Sequence, residues 1–148
     1  MGHDRRDPVK EYLSSVIEAR MEISRLRRKL AQLEAIATKT TSVLTGMPRG
    51  GGADRDAVLA TVADATSLYY ERIAACERRE LEVNKFIDSL PSGDARTILR
   101  LRYISGLRWP AVLVSLNENG MQMSERQMFR LHGRALNEAR ERWKRERH

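Results

Sequence analysis

The 148-residue chain has a single cysteine, four prolines and nine glycines, and only 5% of it is aromatic. Cys76 alone excludes an internal disulfide and fits a reducing cytoplasm, the expected location. The three histidines (His3, His132, His148) are far apart, and with one cysteine they form no zinc-ligand spacing. No apolar run approaches the roughly 20 residues that a membrane span needs. Met1 to Lys10 is charged and lacks an apolar h-region, so no secretory leader is expected there. Gly50-Gly51-Gly52 lacks the Lys-Ser/Thr of a phosphate-binding loop, and no nucleophile–base pair stands out. An enzyme is therefore not expected, nor a metal or cofactor.

What is abundant is charge, 32% of residues, together with Ala, Leu, Arg, Glu and Met. Strong helix formers with few breakers predict an all-α protein. The formal charge of +7 is unevenly placed. Residues 1–90 carry 15 Lys/Arg against 14 Asp/Glu, whereas residues 91–148 carry 12 against 6. The excess thus sits at the C-terminal end, as a surface that approaches phosphates requires; a solvated basic helix end is the plainer alternative.

Tyr12, Val16, Ala19, Ile23, Leu26, Leu30, Leu33 and Ala37 are separated by alternating steps of four and three, the a/d seam of a heptad repeat. Asp7-Pro8 marks the helix start. The seam fades into the Thr-rich stretch at 38–45, and residues 46–53, with one proline and four glycines, predict a loop. A second seam runs through Leu59, Val62, Thr66, Tyr69, Ile73, Cys76, Glu80, Val83, Ile87 and Leu90, with Asp54 or Asp56 as its cap. Helices of about 34 residues, roughly 50 Å each, joined by a short loop predict a long antiparallel coiled-coil hairpin over residues 1–90. Two helices bury only one narrow stripe each. Leu13, Ile17, Ile36, Leu68 and Tyr70 are left needing a partner, so a homo-oligomer (dimer or tetramer) is expected. Its seam would comprise Ile23, Leu26, Leu30, Leu33, Tyr69, Ile73, Val83 and Ile87. The alternative is a hairpin folded back over its own C-terminal domain.

Residues 91–148 read as a small helix-turn-helix domain. Pro91-Ser92-Gly93-Asp94 breaks the long helix, and Asp94 or Ser92 caps a new one, whose apolar face holds Ile98, Leu101 and Leu99 and which stops at Gly106. Trp109-Pro110 opens a short helix with Val112 and Leu116 inward and Trp109 as a core anchor. Ser124-x-x-Gln127 is a capping box, and the helix behind it buries Met128, Leu131, Ala135 and Leu136. Its other face presents Ser124, Glu125, Arg126, Gln127 and Arg130, residue types suited to base edges in the major groove, with Arg134, Arg108 and His132 as candidates for phosphate contacts. The tail Arg140–Arg147 extends this helix or frays as a mixed-charge end.

Leu99-Arg100-Leu101-Arg102-Tyr103-Ile104, Gly106-Leu107-Arg108-Trp109 and the run Ser124 to Leu136 together resemble the promoter-reading C-terminal domain of bacterial sigma factors. The resemblance is closer still to the sigma-like phage and prophage regulators of the RinA/ArpU group, and its strongest part spans about residues 98–136. It implies a phage-derived positive regulator of late transcription that binds double-stranded DNA, or a module that touches both promoter and RNA polymerase. Carried over, it implies base-facing roles for Glu125, Arg126, Gln127 and Arg130, helix capping by Ser124 and a basic role for Arg134. The stretch Asn117 to Met123 is longer than the family's tight turn, and Leu113 stands where a small residue is usual. Two other readings fit the same order of parts. One is a small-terminase-like packaging adaptor, which would form a large ring. The other is a polymerase-binding module that recruits without reading bases.

Overall fold

The computed structural model describes residues 7–44 and 52–147. Among these residues every regular element is helical: α1 (Pro8–Leu44), α2 (Gly52–Asp88), α3 (Gly93–Leu99) running on into a π-helical turn (Arg100–Ile104), α4 (Trp109–Glu118) and α5 (Glu125–Glu146). The all-α expectation holds. Most of the predicted loop at 46–53 lies outside the described residues, but Gly52 and Ala53 already belong to α2. Asp54 therefore sits in the first turn of α2 rather than before it, where its charge complements the helix dipole.

The chain divides into two units. One is Arg20–Arg78; the other takes the chain up to Ala19 and from Arg79 onward. The division expected at residue 90 does not match this partition. Three short helices offer too little apolar surface for a core, and the first turns of α1 and the last turns of α2 supply the rest.

In the unit Arg20–Arg78, Ile23, Leu26 and Ile73 are buried, with Leu30, Tyr69 and Cys76 packed against them. Further out, Leu33 and Ile36 share an open groove with Ala57, Val58, Thr61, Val62 and Ala65. Positions later in α1 thus meet positions earlier in α2, so the two helices pair antiparallel within this unit. The alternation of three and four puts one stripe of each helix inward, but two helices enclose only part of it. Leu30, Leu33, Leu59, Val62 and Tyr69 stay half-buried, while Met21, Ile36, Val58, Leu68 and Tyr70 are exposed. Burial also raises the pKa of the Cys76 thiol, with the Glu22 carboxylate adding to the effect.

The second unit is a closed core. Val9, Leu13 and Val16 from α1 and Val83, Phe86, Ile87 and Leu90 from α2 pack with Ile98, Leu99, Val112, Leu116, Met128, Leu131 and Ala135. Leu13, expected to need an outside partner, is 0% exposed. Val83 and Ile87, expected in an oligomer seam, are likewise consumed within the chain. Tyr12, Phe86 and Trp143 form an aromatic trio with ring centroids 4.8–6.1 Å apart, so the tail of α5 is anchored rather than frayed.

Polar contacts hold the helix ends of this core. Asp7 accepts the Val9 backbone N–H at 3.0 Å and two N–H groups of Arg140 at 2.9 and 2.6 Å. Burial works against the Asp7 carboxylate, yet these donors hold its pKa below the ordinary value. Ser92 is the N-cap of α3, accepting from the Ala95 N–H at 3.2 Å, and its own N–H donates to Glu138 of α5 at 2.8 Å. The helix expected to run regularly to Ile104 widens after Leu99, where the Ser105 N–H reaches the Arg100 carbonyl, five residues back. The extra residue in that turn shifts the helical phase, so both Tyr103 and Ile104 reach the core. Gly106, at φ +70°, then ends the segment in a conformation that L side chains rarely adopt.

Candidate nucleic-acid interface

The surface of interest begins where α5 begins. Ser124, in extended conformation, accepts the Gln127 N–H at 3.2 Å, and Gln127 accepts the Ser124 N–H at 2.9 Å through its side-chain carbonyl. Both halves of the predicted capping box are present. The geometry also changes the reading of Gln127: its amide oxygen is engaged with the cap, so a bidentate contact to adenine requires that bond to open.

One side chain organises the turn ahead of α5. Asn117 Oδ1 accepts the Met123 N–H at 2.6 Å, and Asn117 Nδ2 donates to the Met123 carbonyl at 3.3 Å. Gly120 and Gln122 adopt positive φ between them, while Met121 and Met123 pack against the core, filling gaps as expected. Leu113 packs there as well.

The inward face of α5 consists of Met128, Leu131, His132, Ala135, Leu136 and Ala139. The four apolar residues expected there are all present. His132, expected at the phosphate surface, is 9% exposed. Its Nε2 lies 3.0 Å from the Tyr103 hydroxyl in a hydrogen bond, and its ring packs on Trp109 at 4.5 Å. Burial, reinforced by the positive charges of Lys10, Arg102 and Arg140, pushes its pKa from 6.5 to about 4. At neutral pH it is an uncharged core residue, so it offers a phosphate neither charge nor access. Trp109, the expected anchor, is half-buried between His132, Phe129 and the Arg102 guanidinium.

The arginines of this unit fall into two groups. Arg96 bonds the carbonyls of Leu90 and Pro91, Arg100 pairs with Asp88, Arg102 donates to the Leu107 carbonyl, and Arg140 and Arg142 are tied to Asp7 and Glu146. The side chains of Arg108, Arg126, Arg130, Arg134 and Arg145 are exposed and have no hydrogen-bond, ion-pair or ring partner among the described residues. Three of these five project from the first ten residues of α5. No acidic residue lies between Arg126 and Asn137 on that helix. Cations left without internal partners keep their full capacity for an anionic ligand.

Two features of this face lie outside the sequence reading. Phe129 is 42% exposed, with its edge on Trp109 at 5.1 Å, and it shares a shallow open hollow with Ser124, Glu125, Arg126 and Arg130. Helical stepping from the buried pair Met128 and Leu131 could have placed it there. The second is Gly133, exposed in mid-helix, where glycine costs about 1 kcal/mol relative to alanine.

Compared with known proteins, the chain matches no family model, and neither a curated protein nor a solved structure is detectably similar to it. Among the described residues no group of three or more His, Cys, Asp or Glu side chains could hold a metal ion, and no helix is long and apolar enough to cross a membrane.

Proposed function

We propose that the chain is a sequence-specific DNA-binding transcription regulator of phage origin, an activator of late genes. In this reading α4 and α5 form a sigma-like helix-turn-helix whose second helix enters the major groove from Ser124 onward. The paired α1 and α2 form a coiled-coil hairpin that brings copies together as a dimer or tetramer. The observation that carries it is the unpaired set Arg126, Arg130 and Arg134 on the capped N-terminal half of α5, in a unit whose other arginines are mostly engaged. Glu125, Arg126 and Arg130 read base edges, while Ser124 and Gln127 hold the helix start rigid. Arg108 and Arg134 contact phosphates, a role His132 does not share. With Ile23, Leu26, Ile73, Val83 and Ile87 of the expected seam buried inside the chain, self-association uses the half-buried Leu30, Leu33 and Tyr69 together with the exposed Ile36, Val58, Leu68 and Tyr70.

The test is selection of a binding site from a randomised duplex library, followed by fluorescence anisotropy on the selected and on random duplexes. Binding should weaken with salt, log K falling by about 0.9 per phosphate neutralised for each unit of log salt concentration. Arg126→Ala or Arg130→Ala should cost about 1–3 kcal/mol on the selected site and little on random DNA. Arg134→Ala should weaken both alike. Equal losses on both duplexes for Arg126→Ala would end its base-reading role. A ring of about eight or more subunits by light scattering would favour a packaging adaptor over a regulator.

A further inference from the structure

We infer that Gly133 marks the closest approach of a DNA strand to α5: the sugar-phosphate backbone of a duplex passes over the bare helix there, nearer than any side chain would allow. This inference rests on the DNA-binding reading and deepens it, since it places a backbone contact at a position with no side chain.

None of the usual internal reasons for a glycine applies at this position. Gly133 does not have positive φ, unlike Gly106 and Gly120. It lies well inside α5, far from either cap. A Cβ added to it would meet nothing within 4 Å, so no neighbouring helix presses against it. The chain nonetheless accepts the helix's least favourable residue apart from proline at a site where alanine would fit without a clash.

Its neighbours on the helix point to what passes over it. At 3.6 residues per turn, Arg126, Arg130, Gly133 and Asn137 fall within about 60° of one another. That line faces away from the buried residues Met128, Leu131, His132, Ala135, Leu136 and Ala139. Gly133 is therefore the bare step in the most outward-facing stripe of α5. Phe129 flanks the stripe on one side and Arg134 on the other, and both are exposed. Arg126, Arg130 and Arg134 are unpaired and no carboxylate interrupts them, so the field over the bare step is positive. A phosphodiester strand matches the sign of that field and can lie directly against the bare step. A second copy of this surface would bring like charges together.

The contact is with backbone and needs no particular base sequence, so a random-sequence duplex of about 30 base pairs is a sufficient probe. Anisotropy titrations at roughly 50 and 150 mM salt compare the full-length chain with Gly133→Ala and Gly133→Leu. Both variants should remain helical by circular dichroism and melt at or above the wild-type temperature. Affinity should fall about tenfold for Gly133→Ala and further for Gly133→Leu, with the salt slope unchanged because no cation is removed. If wild type binds and Gly133→Ala binds as tightly, the close approach is refuted while the DNA-binding reading stands. If the wild-type chain does not bind the duplex even at the lower salt, both fall. If Gly133→Ala changes the oligomer mass by light scattering but not the DNA affinity, the occupant is another protein surface and the inference is overturned.

Discussion

Two stretches of the same helices carry the same heptad spacing and reach different degrees of burial. In α2, Val83, Ile87 and Leu90 are fully enclosed, whereas Leu59, Val62 and Tyr69, on the same seam, remain half-exposed. In α1, Val16 is enclosed and Leu33 is not. The difference lies not in the seam but in what covers its other side. Near the base of the helices, α3, α4 and α5 add a second layer, and off-seam residues such as Leu13 and Phe86 are buried too. In Arg20–Arg78 only the opposite helix is available. A heptad pattern therefore specifies pairing, while a further layer of helices decides how much water is excluded.

The sharpest way to break this comparison is a pair of identical truncations. Leu13→Ala, at a fully buried site, should cost about 2–5 kcal/mol, and Leu30→Ala, at a half-buried seam site, about half as much or less. Urea denaturation of both variants measures the difference; equal losses would mean that Arg20–Arg78 is covered in solution by another copy of the chain.

Acid should act on the closed core through His132. Its folded-state pKa of about 4 lies below the unfolded value of 6.5, so the unfolded chain takes up the proton first. The stability that depends on a neutral His132 is complete above pH 6.5 and falls as the pH drops toward 4, by up to about 3 kcal/mol. His132→Leu should flatten the urea-midpoint profile over that window. An unchanged profile would mean that another group controls the acid response.

A smaller effect is expected at the start of α5, where Ser124→Ala removes one half of the capping box. Stability should fall by about 1 kcal/mol, with Ser124→Asp restoring most of it. Thermal melts of the three proteins measure this. A loss of DNA affinity in Ser124→Ala larger than its loss of stability would give the serine a contact of its own.

Much of the local structure was legible in the residues. The 3-4 spacing located both long helices, Asp7-Pro8 and Gly106 marked real boundaries, and Ser124-x-x-Gln127 forms the reciprocal cap. These features depend on neighbours three or four residues away, a range over which side chains and backbone act on each other directly. The π-helical turn at Arg100–Ile104 was not legible, because its widening answers to the core that receives Tyr103 and Ile104. Asn117 gave no signal either, since an asparagine before a turn is common and only its two bonds to Met123 identify it as a clamp. At the candidate interface, the arginines could be counted in advance, but which of them were free could not. Arg100 and Arg126 look alike in sequence, yet Arg100 is paired with Asp88 and Arg126 with nothing among the described residues.

From its sequence alone, this protein was determined to be helical, with two long paired elements, a capped basic helix near its C-terminal end and a positive charge concentrated there. Propensity, periodicity and capping are short-range effects, and composition fixes charge directly. Only the tertiary structure decided that the base of the long helices belongs to the C-terminal core, that His132 is buried and neutral, and which arginines keep their charge available. Those outcomes depend on which distant segments share one core, because burial and ion pairing are set by neighbours that linear spacing does not specify.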